Sequence, residues 1–209
     1  SAPHIYIGLP CRFVPGRKKI PSHKENGIND GLLMSSRDGL HFERWGQAFL
    51  RPGSDDYVWT DRNNYPSWGI VQTSDTELSI YWSEHYRYPT ARLRRGTLRL
   101  DGFVSVGADD KGGEMLTRPL LFSGDRLVIN YRTSAAGSLR FELCDPDGNP
   151  YEGFSLRESE WLFGNEIAHT VSWGDRSDVS SLAGKPVRLR VWMRDGDLYS
   201  LKFAQTQPE

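Results

Sequence analysis

Val187-Arg188-Leu189-Arg190-Val191-Trp192-Met193-Arg194 carries an apolar residue at every second position, with arginine at three of the four places between. That period of two is a β-strand with one buried and one solvated face. The stretch runs into Asp195-Gly196-Asp197, a turn signal, and then into Leu198–Phe203, so the end of the chain reads as a hairpin,. Leu189, Val191 and Leu201 are expected to face a core, and Arg188, Arg190 and Arg194 to face solvent. A slip of one residue would bury those arginines, which fixes the register. Upstream the same alternation recurs. Leu127, Ile129 and Tyr131 interleave with Val128, Asn130 and Arg132, and Leu139, Phe141 and Leu143 interleave with Arg140 and Glu142. Asp145-Pro146-Asp147-Gly148-Asn149-Pro150 supplies turn chemistry, and Asp178 to Leu182 has room for one short helical turn,. Short alternating strands with turns between them predict an antiparallel β-sandwich.

Further back the charge balance changes sign. Residues 1–105 carry a net charge of +3 and residues 106–209 one of −4. The polar, glycine-rich stretch Gly107-Ala108-Asp109-Asp110-Lys111-Gly112-Gly113 lies at the change. The expected division is a first region over 1–105, a linker over 106–114 and the sandwich over 115–209. Net charge for the whole chain is −1, which argues against a mainly electrostatic nucleic-acid binder,. No apolar run is long enough for a membrane helix. Cys11 and Cys144 are too few for a disulfide framework or a structural zinc site; one long-range disulfide is open to them, and two buried thiols are the expected state,. Ser1-Ala2-Pro3-His4 has neither the basic nor the apolar part of a signal peptide, and its abrupt run into Ile5-Tyr6-Ile7-Gly8 fits a fragment,.

The first region is also strand-like, with candidates at Ile5–Gly8, Gly31–Ser35, Gly69–Thr73, Leu78–Ser83 and Ala91–Leu100. Two loops between them are dense in reactive groups: Tyr57-Val58-Trp59-Thr60-Asp61-Arg62-Asn63-Asn64-Tyr65-Pro66 and Trp82-Ser83-Glu84-His85-Tyr86-Arg87-Tyr88-Pro89. Ser36-Arg37-Asp38-Gly39-Leu40-His41-Phe42 suits a tight hairpin in which Asp38 accepts turn N–H groups and Gly39 takes positive φ,. Phe42 and Trp45 are expected to fold back on the core.

This Ser-x-Asp-Gly-x-x-Phe string resembles the blade hairpin of carbohydrate-active β-propellers and is similar to the sialidase Asp-box. Leu33-Met34-Ser35 before it, the aromatic strand ending in Ser83-Glu84 and the sandwich after it together resemble the distal part of a five-bladed-propeller glycosidase. Glycoside hydrolase family 32, with family 43 and the sialidases as relatives, has that order. The resemblance implies an all-β chain, propeller-like blade sheets first and a jelly-roll type β-sandwich after. It implies activity on an oligo- or polysaccharide, in a secreted or periplasmic setting, with no cofactor. Two blades cannot close a propeller, so the implied partner is a set of preceding blades of the same native protein, unless the first strands pack on the sandwich. The alternative is a non-catalytic carbohydrate-binding or structural accessory region.

Glycoside cleavage needs two carboxyl groups flanking the scissile bond. Glu84, after an apolar strand and before His85, Tyr86 and Arg87, is the first candidate, against a surface salt bridge. Asp61 is second, with Arg62, Asn63 and Asn64 to bind hydroxyls, and Asp30 is third. Arg12 can grip a carboxylate or sulfate of an acidic sugar through its bidentate fork, or pair with a structural Asp. Arg87 and His85 complete the expected substrate contacts. Trp59, Trp68 and Trp82 are candidates either for stacking on sugar rings or for core packing. His85 has no second histidine at ligand spacing, so no metal is expected. The alternating run Arg92–Arg99 reads as a strand with a solvated basic face. No phosphate-cradling loop and no Gly-x-Ser-x-Gly elbow occur.

Overall fold

The computed structural model describes residues 5–206, so the opening Ser1-Ala2-Pro3-His4 lies outside them. It is all-β, built of antiparallel sheets of which one curls into a half-barrel. The only helical elements among the described residues are single 3-10 turns at Asp56–Val58 and Ser180–Leu182. The second is the short turn expected there, and the Asp178 carboxylate accepts the Ser180 N–H at 2.7 Å. The chain forms two compact units, the first ending at Leu100 and the second beginning at Asp101.

In the first unit, β1 (Tyr6–Gly8) and β2 (Cys11–Val14) pair with β3 (Ile28–Ser36) in one continuous register, from Tyr6 opposite Ser36 to Val14 opposite Ile28. Pro10 has no N–H to give and splits this edge strand, yet its carbonyl still accepts the Leu32 N–H at 2.8 Å,. On the other side of β3 lies β4 (Glu43–Leu50). The β3–β4 turn is built as its residues demand: Asp38 accepts the N–H groups of Leu40 and His41, Ser36 Oγ accepts that of Gly39, and Gly39 takes φ +75°,. Phe42 and Trp45 do not fold inward. They are 40% and 46% exposed, because the turn's own hydrogen bonds hold it without an aromatic anchor. A second sheet holds β5 (Val71–Gln72), β6 (Glu77–Glu84) and β7 (Arg92–Arg99).

The second unit is one five-stranded sheet. β8 (Val106–Ala108) and β9 (Gly113–Leu116) occupy the stretch expected as a linker, and both pair with the final strand. Its glycines and aspartates turn the chain between two strands instead of spacing two domains. β10 (Arg126–Cys144) takes in both alternating runs upstream, and β11 (Asn165–Thr170) pairs with its first half. β12 (Arg188–Ala204) pairs with β10 over nearly its whole length.

The expected terminal hairpin is therefore absent. Asp195-Gly196 does not reverse the chain; it forms an irregularity where residues 134–137 of β10 stand against Asp195, which takes φ 44°,. β10 offers β12 a partner along its full length, so both halves of β12 pair with it and not with each other. Leu189 and Val191 are fully buried as expected, and Leu201 packs against the core. Arg194 is exposed, but Arg188 and Arg190 are half-buried. Arg188 Nε donates to the Thr117 carbonyl, and Arg190 Nε lies 3.4 Å from the buried Glu142. The core of this unit joins Leu127, Ile129, Tyr131, Leu139, Phe141, Leu143, Trp173 and the inward side of β12.

Candidate functional site

The interiors of the two units differ in chemistry. Against the broad apolar core of the second, the first buries Ile28, Leu32, Leu33, Val58 and Ile80 but twice as many polar residues, among them His23, Asn29, Asp61, Asn63, Asn64, Glu84 and His85. Buried polar groups must be hydrogen-bonded, and each set held this way constrains its loops. Here they join the two loops that the sequence marks as dense in reactive groups. Asn64 N–H donates to the Ser83 carbonyl at 2.8 Å, and Ser67 N–H to the Tyr81 carbonyl at 2.7 Å, laying the first loop along β6. Among the described residues, four of the six non-glycine residues at positive φ lie in these loops: Arg62, Asn64, His85 and Arg87. Such conformations persist only where the surroundings over-determine them.

Two histidine–carboxylate networks do this. In the first, His23 Nε2 lies 2.8 Å from Asp61 Oδ1 and its Nδ1 2.8 Å from the Tyr88 hydroxyl. Arg87 Nε donates to both Asp61 oxygens at 3.1 and 3.3 Å. Burial pushes the Asp61 carboxyl up, but the bonds from His23 and Arg87 outweigh it and hold the group below the ordinary carboxylate range,. Burial, together with Tyr57 and Asp61, raises Tyr88 and keeps its phenol protonated. In the second network, His85 Nε2 lies 2.7 Å from Asp55 Oδ2 and its Nδ1 2.8 Å from Thr90 Oγ1. The His85 bond is the main cause that lowers Asp55. Arg92 joins this pair to Glu84, with Nε donating to Glu84 Oε2 at 2.9 Å, while Trp82 Nε1 donates to the other oxygen at 3.3 Å.

The asparagines are scaffolding. Asn63 donates to Thr60 Oγ1 at 2.6 Å and accepts the Tyr86 N–H at 2.9 Å. Asn29 accepts the Arg62 N–H at 2.7 Å, and Asn64 donates to the Asn29 carbonyl at 2.8 Å. Arg62 lies along the Tyr86 ring and donates to its hydroxyl at 3.1 Å.

Beside these networks lies a cleft of about 630 Å³. Arg12, Val14, Ile28 and Asp30, cross-strand partners on one face of the β2–β3 pair, form one side of it; Ala48, Arg51, Pro52, Gly53 and Trp59 form another. Trp59 Nε1 donates to the Gly53 carbonyl at 2.7 Å, which fixes the indole. Arg12 and Asp30 form a two-pronged pair across the strands, and Arg12 Nη1 donates to the Gly46 carbonyl at 3.1 Å.

No protein-family model fits the sequence, and no curated protein or solved structure matches it. The chemistry must be read from the residues themselves.

Of the expected carboxylates, only Asp30 lines the cleft. Asp61 and Glu84 sit in separate networks with both oxygens occupied. Arg12 has taken the structural option, pairing with Asp30. Asn63, Asn64 and His85 are buried in scaffold bonds, Arg62 and Arg87 flank Tyr86, and Trp68 is fully exposed to solvent. His23, Asp55, Arg17 and Arg51 carry no signal in the sequence, and Tyr88 stands in its dense loop without a role until His23 meets it. His23 lies 38 residues before Asp61 and in no motif, so only the fold could bring it there. Arg17 and Arg51 stand just beyond the ends of β2 and β4, and only the sheet order makes them neighbours of one cleft.

Proposed function

We propose that this chain is a carbohydrate-active region of the propeller-glycosidase kind whose first unit binds an oligo- or polysaccharide in the cleft beside Trp59. Of the two readings, binding is favoured over hydrolysis by this chain alone. The observation that carries this is the state of the acids: Asp61 is held low by His23 and Arg87, and Glu84 has Arg92 and Trp82 on its two oxygens. Neither is placed to hand a proton to a leaving group, and glycoside cleavage needs one carboxyl to do so. The cleft has what sugar recognition requires. Trp59 offers an immobilised aromatic face for the apolar side of a pyranose. Asp30, its orientation set by Arg12, keeps lone pairs free to accept hydroxyl protons. The antiparallel sheets, one of four strands and one of three, and the Asp38 turn support the blade-like reading of this unit.

The test is a glycan array of neutral and acidic oligosaccharides, read for the wild type and for Trp59→Ala, alongside an assay for reducing ends. Binding without hydrolysis, weakened about tenfold or more by Trp59→Ala, is expected, since losing about 1.4 kcal/mol of ring contact is a factor of ten. Binding to no saccharide would overturn the proposal. Release of reducing sugar that Asp61→Asn abolishes would restore the hydrolytic reading.

A further inference from the structure

The charges along the cleft do not balance. Arg12, Arg17, Asp30 and Arg51 are its ionisable lining residues, and Arg12 with Asp30 cancel as a two-pronged pair. Arg17 and Arg51 remain. Neither side chain has a hydrogen bond or an ion pair among the described residues, whereas Lys19, two positions from Arg17, lies 3.8 Å from Asp56. Two arginines lining one cleft without a counter-charge among its lining residues give it a positive potential that attracts an anion,. Their backbones are held in place. Gly27 N–H donates to the Arg17 carbonyl at 2.8 Å, and Arg51 directly follows the last residue of β4. Such anchoring fixes the points from which the two side chains reach the cleft. A neutral sugar gives these groups hydroxyl oxygens to bond but no counter-charge. A carboxylate or sulfate gives their planar forks the geometry they fit best.

We infer that the cleft is selective for saccharides carrying an anionic group, a uronate carboxylate or a sulfate, which Arg17 and Arg51 hold while the sugar ring lies against Trp59. This rests on the carbohydrate reading above. Arg12, the residue the sequence suggests for the task, is occupied by Asp30, and the role passes to two arginines at strand ends.

Calorimetry of the full chain tests it with four probes: a trigalacturonate, its methyl ester, a sulfated disaccharide and the same disaccharide without sulfate. At least one acidic probe should bind tenfold or more tightly than its uncharged counterpart. The margin should shrink as salt is raised, and it should vanish in the double variant Arg17→Gln/Arg51→Gln. The two acidic arms tell carboxylate from sulfate. Both arginines are exposed, so the variant should melt with the wild type, and a melt confirms that lost binding is not lost folding. Equal binding of charged and uncharged probes, unchanged in the double variant, overturns the anion selectivity and leaves the carbohydrate reading standing. Binding of none of the four, with none on the array, overturns that reading and this inference with it.

Discussion

Three residues of β12, replaced one at a time, should give three different stability losses. Val191 is fully buried in the core of the second unit. Val191→Asp forfeits about 2 kcal/mol of apolar burial and leaves a carboxylate without a partner, several kcal/mol more. A total near 5 kcal/mol is comparable to the whole stability of many domains. Arg194 is exposed, and among the described residues its side chain donates only to the Ala136 carbonyl, so Arg194→Ser should cost about 0.5 kcal/mol or less,. Arg190 is the informative one. Alternation alone makes it equivalent to Arg194, but its guanidinium lies 3.4 Å from Glu142, which is 5% exposed and accepts the Leu156 N–H and the Cys144 thiol. Arg190→Ser removes the cation nearest a buried carboxylate and should cost about 2 kcal/mol. Urea unfolding with a constant m-value measures all three. The cause is isolated by a double-mutant cycle, in which Arg190→Ser should be nearly harmless once Glu142→Gln has removed the charge. If Arg190→Ser is as mild as Arg194→Ser with Glu142 intact, the pairing is wrong and Arg190 faces water.

Asp61 is held below its ordinary range, so the stability it adds is present above the unfolded carboxylate value near pH 4 and is lost as pH falls through the lower folded value,. The first unit should weaken in acid, and Asp61→Asn should flatten that slope in urea midpoints taken across pH. Burial and the Glu142 hydrogen bond push the Cys144 thiol up to about 12. At pH 8 only roughly one thiol in ten thousand is then thiolate, so alkylation should spare Cys144 in the native protein and label it after unfolding. Gly137 stands where an added Cβ would lie 2.2 Å from the Asp195 carbonyl oxygen. Gly137→Ala must push β10 and β12 apart there and should lower stability by about 1–3 kcal/mol in the same urea experiment.

Alternation made the strands of the second unit legible, because a sheet with one buried face writes its period into the sequence. Leu127, Leu139, Val191 and their neighbours all point where the pattern puts them. Pairing was not legible. Asp195-Gly196-Asp197 has the composition of a tight turn, and nothing local distinguishes a turn from a bulge; the length of β10 decides. The linker reading failed in the same way, since Gly107 and Gly113 take part in strand pairs with β12 that depend on a sequence some 85 residues away. In the first unit β2 and β4 are edge strands with weak alternation, one half-buried and the other mostly exposed, and leave little trace in the sequence.

The site shows the same division. Dense loops of acid, Arg, Asn and aromatic residues did mark the region where the first unit concentrates its buried polar groups and positive φ angles. Composition cannot tell which of those groups are spent on holding the loops and which remain available. Glu84, Asp61 and Arg12 look reactive as letters, yet each already has partners, and the energy of those bonds goes into fixing strained backbone. A group available to a ligand is recognised by what it lacks. Arg17 and Arg51 sit in unremarkable stretches of sequence, and they stand out only once every other charge lining the cleft has been paired. Function in this chain is therefore sought in the residue of the pairing, after the scaffold has taken its share, and the four-probe titration asks whether that residue is a binding site for acidic sugars.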